Sequence, residues 1–82
     1  MAPKTLSIRI PDNDYKFLFS LAKEESEDMS KKVRQLVDLG RVMLAINKCK
    51  KSEASLEKAA RISGVSISEM MDILREYGVE RI

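Results

Sequence analysis

Residues 5–10 read TLSIRI, a stretch in which polar and apolar side chains alternate strictly. In an extended chain one face would carry three apolar side chains, Leu6, Ile8 and Ile10. The other face would carry three polar ones, Thr5, Ser7 and Arg9. A period of two is typical of a strand with one buried face, and Pro11 is expected to end it. The sequence therefore predicts one strand near the N-terminus.

The pattern becomes helical beyond Pro11. A first helix is predicted over 14–25, with Asp12 or Asn13 as its N-cap, followed by a turn at 26–29. Ser30 is the predicted N-cap of a second helix that runs to about Cys49.

Gly40 lies in the middle of the predicted second helix. Glycine costs about 1 kcal/mol there relative to alanine, so one interpretation is that the helix stops at this residue. We expect it to continue, because the apolar period carries on in phase past Gly40 and no proline follows. A glycine at this position would let another helix approach closely.

The C-terminal third is predicted to be a helical hairpin. Residues 48–54 are polar and aperiodic and form the expected linker between a domain over 1–47 and a hairpin over 55–82. Ser55 is the predicted N-cap of the first helix, and Ser66 with Glu69 forms a capping box for the second. Gly78 is expected to end it.

The predicted strand needs a partner that this chain does not supply, since no other segment is patterned as a strand. Pairing with its copy in a second chain would satisfy the backbone, and two-fold symmetry would make that pair antiparallel. A chain of 82 residues also buries little surface alone, which favours oligomers. We expect a mainly α, intertwined homodimer, and a tetramer remains open. Its predicted core comprises Leu6, Ile8, Ile10, Val33, Leu36, Val37, Gly40 and Leu44.

A two-stranded ribbon fits the major groove of double-stranded DNA. The outward side chains of Thr5, Ser7 and Arg9 are suited to base edges, and Arg9 could make a bidentate contact to guanine. The alternative is that these three residues are only the solvated face of a dimer ribbon.

Residues 4–47 resemble the ribbon-helix-helix superfamily of Arc, MetJ and CopG-type repressors. The matching segments are TLSIRIPDNDYKFLFSLA (5–22) and MSKKVRQLVDLG (29–40). The resemblance implies that Thr5, Ser7 and Arg9 read bases and that the start of the second helix anchors a DNA phosphate. The residues expected to contact phosphates are Lys4, Ser30, Lys31, Lys32 and Arg34. A solvated helix face is the alternative for the last three.

Residues 46–79, INKCKKSEASLEKAARISGVSISEMMDILREYGV, resemble a family of small prokaryotic proteins proposed as antitoxins of PIN-type nucleases. That resemblance implies a surface that binds a toxin. Its predicted residues are Ile67, Met70, Met71, Leu74 and Tyr77. One alternative is that they form the hairpin's own core. A second is a helix-turn-helix that reads DNA, with Ala60 at a close crossing, Gly64 in the turn and Met70 in the core. Its reading residues, Ser66, Ser68 and Glu69, are poorly basic.

Composition narrows the function classes. The chain has no His and one Cys, no glycine-rich phosphate loop and no carboxylate pair suited to catalysis, so we expect neither an enzyme nor a metal or other cofactor. No apolar run is long enough to span a membrane, and we expect a cytoplasmic, nucleoid-associated protein. The expected function is transcriptional repression, with an antitoxin role as its context. The alternative is a protein-interaction module whose ribbon only dimerises.

Overall fold

The computed structural model describes residues 3–79, and the mainly α prediction is confirmed over that range. Residues 3–11 carry neither helix nor strand. The helices are α1 (Asp12–Glu24), α2 (Met29–Lys50), α3 (Leu56–Ser63) and α4 (Ile67–Glu76). The chain divides into two units between Val33 and Arg34, inside α2, whereas the sequence pattern placed the division at 48–54.

In the N-terminal unit, Pro11 begins α1. It occupies the N-cap position, and its carbonyl accepts hydrogen bonds from the backbone N–H groups of Asp14 (3.0 Å) and Tyr15 (3.1 Å). No side chain caps this helix, so the prediction of Asp12 or Asn13 as the cap is wrong; both lie within α1. Proline suits a helix start because its φ is already helical and it has no N–H to satisfy.

The turn between α1 and α2 is closed by backbone hydrogen bonds and by Asp28. Ser26 adopts a left-handed φ of 55°, and the next residue, Glu27, donates its N–H to the Ala22 carbonyl (2.9 Å). Asp28 then accepts the Lys31 N–H through its carboxylate at 2.7 Å. Asp28 is therefore the N-cap of α2, and the prediction of Ser30 in that role is wrong.

Helix α2 runs without a break through Gly40, which confirms the prediction of one continuous helix. It ends at Lys50, so residues 48–50 of the predicted linker are helical. Ser52 then adopts a φ of 58°, and Glu53 donates its N–H to the Lys48 carbonyl at 2.8 Å.

The core of the described structure lies in the C-terminal unit. The second half of α2 packs there with α3 and α4, and many of the side chains at this contact are small, which allows the helices to approach closely. Its buried members are Ala45, Ile46, Cys49, Ala54, Ala59, Ala60, Met70 and Leu74. Because α2 supplies part of this core, the C-terminal unit begins well before the hairpin itself.

The predicted caps of the hairpin are confirmed. The Ser55 hydroxyl accepts the Lys58 N–H at 3.2 Å, and the Ser66 hydroxyl accepts the Glu69 N–H at 3.1 Å. Helix α3 ends at Gly64 and α4 ends before Gly78, each with a left-handed φ near 70° (73° and 72°). Each cap depends on hydrogen bonds between residues close together in the chain, so the bounds of α3 and α4 follow from the local sequence.

Arg41 ties α2 to the end of α3, and nothing in the sequence pattern indicated this. Its Nε donates to the Ile62 carbonyl at 2.7 Å, and its Nη2 donates to the Arg61 carbonyl at 3.2 Å. A guanidinium at a helix C-terminus hydrogen-bonds the last carbonyls of the helix and complements the helix dipole. A Cβ at Gly64 would lie 3.0 Å from Arg41 Nη2.

We predict that Gly64→Ala lowers the free energy of unfolding by more than Gly78→Ala. Both substitutions place alanine in the left-handed region, at a cost of about 1–2 kcal/mol. Only the first also crowds the Arg41 guanidinium, because nothing lies within 4 Å of a Cβ built at Gly78. Urea denaturation measures both. Equal losses for the two variants would show that the Arg41 contact adds nothing.

Candidate dimerisation and nucleic-acid interface

The predicted strand over 5–10 is not formed in the single chain. Leu6 is 80% exposed and Ile8 is 66% exposed, and the polar residues Thr5, Ser7 and Arg9 are exposed as well. A β-strand requires a second strand, and no other segment of the described residues is a strand. The structure therefore leaves the apolar side chains of this segment exposed to water.

The N-terminal unit has almost no interior of its own. Among its described residues, 3–33, the buried side chains are Ala22 and Lys32. Large apolar side chains stay exposed in this unit, including Ile10, Tyr15, Phe17, Phe19 and Val33. Burying a side chain of this size contributes about 1.5–3 kcal/mol, and the single chain gains little of that contribution. An exposed apolar surface on this scale is typical of a protein that buries it against a partner.

Helix α2 has two apolar faces within the C-terminal unit. One face packs into the core through Ala45, Ile46 and Cys49. The opposite face, which we call the outer face of α2, consists of Leu36, Val37, Gly40, Met43 and Leu44. Its four large side chains are between 37% and 54% exposed. The predicted dimer-core residues of α2 are thus uncovered in the single chain.

Two of the predicted phosphate contacts are engaged elsewhere. The Lys31 Nζ lies 2.7 Å from a carboxylate oxygen of Glu27, and its backbone N–H is held by Asp28. Lys32 is only 5% exposed and its ammonium pairs with Glu25 and, at 2.9 Å, with Glu27. A buried ammonium needs such partners because its desolvation is costly. Lys32 thus stabilises the α1–α2 turn in the single chain, and its contact to a phosphate stays a prediction.

The remaining predicted phosphate contacts keep an exposed position. Lys4 lies in the segment before α1, Ser30 lies in the first turn of α2, and Arg34 lies further along that helix. Lys4, Arg9 and Arg34 are thus exposed cations among the residues predicted to contact DNA.

The predicted partner-binding stripe of α4 is divided by the structure. Met70 and Leu74 are buried in the core, and the Ser63 hydroxyl donates to the Met70 sulfur at 3.2 Å. Ile67, Met71 and Tyr77 remain close to half exposed. Met70 and Leu74 therefore belong to a core that α2 shares with the hairpin, and the other three residues are accessible to a partner.

Cys49 belongs to the core rather than to a linker. Cys49 is 2% exposed, and its thiol donates a long hydrogen bond of 3.8 Å to the Ala54 carbonyl. Burial raises the pKa of the Cys49 thiol, because a thiolate there would lose its hydration.

Comparisons with protein-family models, with curated proteins and with solved structures found no match to this chain. None of the described helices has the length and apolar character needed to cross a membrane. Within residues 3–79 there is also no group of three or more His, Cys, Asp or Glu side chains arranged to hold a metal ion.

We predict that iodoacetamide alkylates Cys49 in the folded protein at least about ten-fold more slowly than in urea-unfolded protein at pH 8. The thiolate is the reactive form, and burial both raises the pKa and blocks access. Mass spectrometry at timed intervals measures the two rates. Equal rates would place Cys49 outside a stable core.

Proposed function

We propose that this chain is a dimeric, sequence-specific DNA-binding repressor of ribbon-helix-helix type. The observation that carries the proposal is the N-terminal unit, whose described residues bury no apolar side chain larger than Ala22. Two copies would pair residues 5–10 as an antiparallel ribbon and cover Leu6, Ile8 and Ile10. The dimer would then bury the apolar face of the segment and expose its polar face, which accounts for the alternation.

The proposed DNA contact is the outward face of that ribbon. Two copies present Thr5, Ser7 and Arg9 twice, in an arrangement that matches the two halves of a palindromic site. Arg9 supplies the base reading, through a bidentate contact to guanine. Lys4 and Arg34 supply phosphate contacts. The whole chain carries a net charge of only +2, so the proposed binding depends on these particular cations rather than on the overall charge.

The antitoxin role is part of the same proposal. Its support is the resemblance of 46–79 to antitoxin-like proteins together with Ile67, Met71 and Tyr77, which stay accessible on a folded hairpin. Met71 suits such a surface because its thioether adapts to irregular partners. A toxin would therefore bind the C-terminal unit and leave the ribbon to DNA.

A second candidate is an interaction module whose ribbon only dimerises. The ion pairs of Lys31 and Lys32 with glutamates favour it, because they neutralise the cations at the start of α2. The two candidates share the dimer and differ in whether duplex DNA binds.

We predict that Arg9→Ala weakens binding to the duplex upstream of the protein's own coding sequence by about ten- to hundred-fold, the value of one bidentate base contact. The matched control is Lys58→Ala, which removes one exposed positive charge from α3 and should leave specific binding nearly unchanged. Fluorescence anisotropy with specific and scrambled duplexes measures both variants. Sedimentation confirms that each remains a dimer.

The salt dependence is a further measure in the same experiment. Lys4 and Arg34 from two chains would neutralise about four phosphates, so the log–log slope of affinity against salt should be about −4. If Arg9→Ala binds the specific duplex as tightly as wild type does, the ribbon does not read bases through Arg9. Absence of duplex binding above the scrambled control, with the dimer intact, would leave the interaction module.

A further inference from the structure

The outer face of α2 is symmetric about Gly40. Leu36 lies four residues before the glycine and Leu44 four residues after it, while Val37 and Met43 lie three residues to either side. Positions three and four apart share one face of a helix. The apolar pattern of this face therefore reads the same in both chain directions, with the smallest possible residue at its centre.

Gly40 has no function that the single chain explains. It lies inside a continuous helix, where glycine is unfavourable, and its φ is helical. Nothing lies within 4 Å of a Cβ built there, so no neighbour in the chain requires its small size. A glycine without a steric reason in the monomer is accounted for by close approach of a second helix.

We propose that the outer face of α2 docks on the same face of a second copy, with the two helices antiparallel and the two-fold axis passing at Gly40. Leu36 of one protomer then faces Leu44 of the partner subunit, and Val37 faces Met43 of the partner subunit. The glycines meet at the axis and allow the helices to approach.

A second copy is the occupant that the pattern favours. A two-fold interface requires a surface that is complementary to itself, and a stripe symmetric about one residue meets that requirement in the antiparallel direction. A different protein would not require the pattern to be symmetric about Gly40. This pairing deepens the proposed function, because it adds a helix contact to the ribbon of the proposed dimer.

Cysteine cross-linking tests both the surface and the direction. Gly40→Cys should form an intermolecular disulfide under mild oxidation, since a residue at the axis faces its own copy within about 4.4–6.8 Å. Wild-type protein is the control for Cys49, whose burial should keep it unreactive.

The double variant Leu36→Cys with Leu44→Cys should be joined by a thiol cross-linker with a reach of about 8–10 Å, the usual separation of packed helix axes. Each single variant should not, because in the antiparallel pair like residues are displaced by about 12 Å along the helix. Cross-linking of Leu36→Cys alone would overturn the antiparallel direction.

Gly40→Leu provides a measurement without cross-linking. Overpacking the contact should raise the dimer dissociation constant by about ten-fold or more in sedimentation. Lys58→Leu adds a side chain of the same kind on α3 and should leave the dimer dissociation constant unchanged. Circular dichroism shows whether both variants keep their helices.

The outcomes separate this pairing from the proposed function. The α2 contact would be overturned if Gly40→Cys forms no disulfide and Gly40→Leu leaves the dimer dissociation constant unchanged. If the wild-type protein still forms a dimer that binds DNA, the proposed ribbon repressor is unaffected. A disulfide at Gly40 in a dimer that binds no duplex would support the contact and remove the repressor. A wild-type chain that stays monomeric at all concentrations would overturn both.

Discussion

Helix α2 has more apolar surface than its own chain covers, and much of the structure follows from this constraint. One face, through Ala45 and Ile46, closes the core of the C-terminal unit. The opposite face around Gly40 remains in water, as do the large side chains of the N-terminal unit. Hydrophobic burial is the main favourable term in folding, so a surface of this kind is stabilised by association. One apolar face of α2 thus serves folding, and we propose that the other serves assembly.

The distribution of charge around the α1–α2 turn modifies the picture of a DNA-binding surface. Asp28 caps α2, and Glu25 and Glu27 surround the ammonium of Lys32. A carboxylate at a helix N-terminus offers the same stabilisation that a phosphate would supply from outside. The proposed recognition of DNA consequently rests more on Arg9 and the ribbon than on the start of α2.

The predictions of the helix termini had different outcomes for the C-terminal hairpin and for α2, and the reasons are physical. The caps at Ser55 and Ser66 and the ends at Gly64 and Gly78 were read correctly, because each depends on hydrogen bonds over a few residues. The cap of α2 was placed at Ser30 although Asp28 fills it, since serine and aspartate are nearly equal as N-caps. The sequence pattern alone therefore could not decide whether Asp28 or Ser30 caps α2.

By itself, the sequence determined the helix content, the continuity of α2 through Gly40 and the alternation of residues 5–10. These features depend on periodicity and on neighbours along the chain. Only the tertiary structure decided that Met70 and Leu74 are buried while Met71 is exposed, that Lys32 is enclosed, and that Arg41 reaches the end of α3. A stripe on a helix shows that some surface will cover it. Which residues are covered depends on where the other helices approach, and residues distant in sequence set that approach.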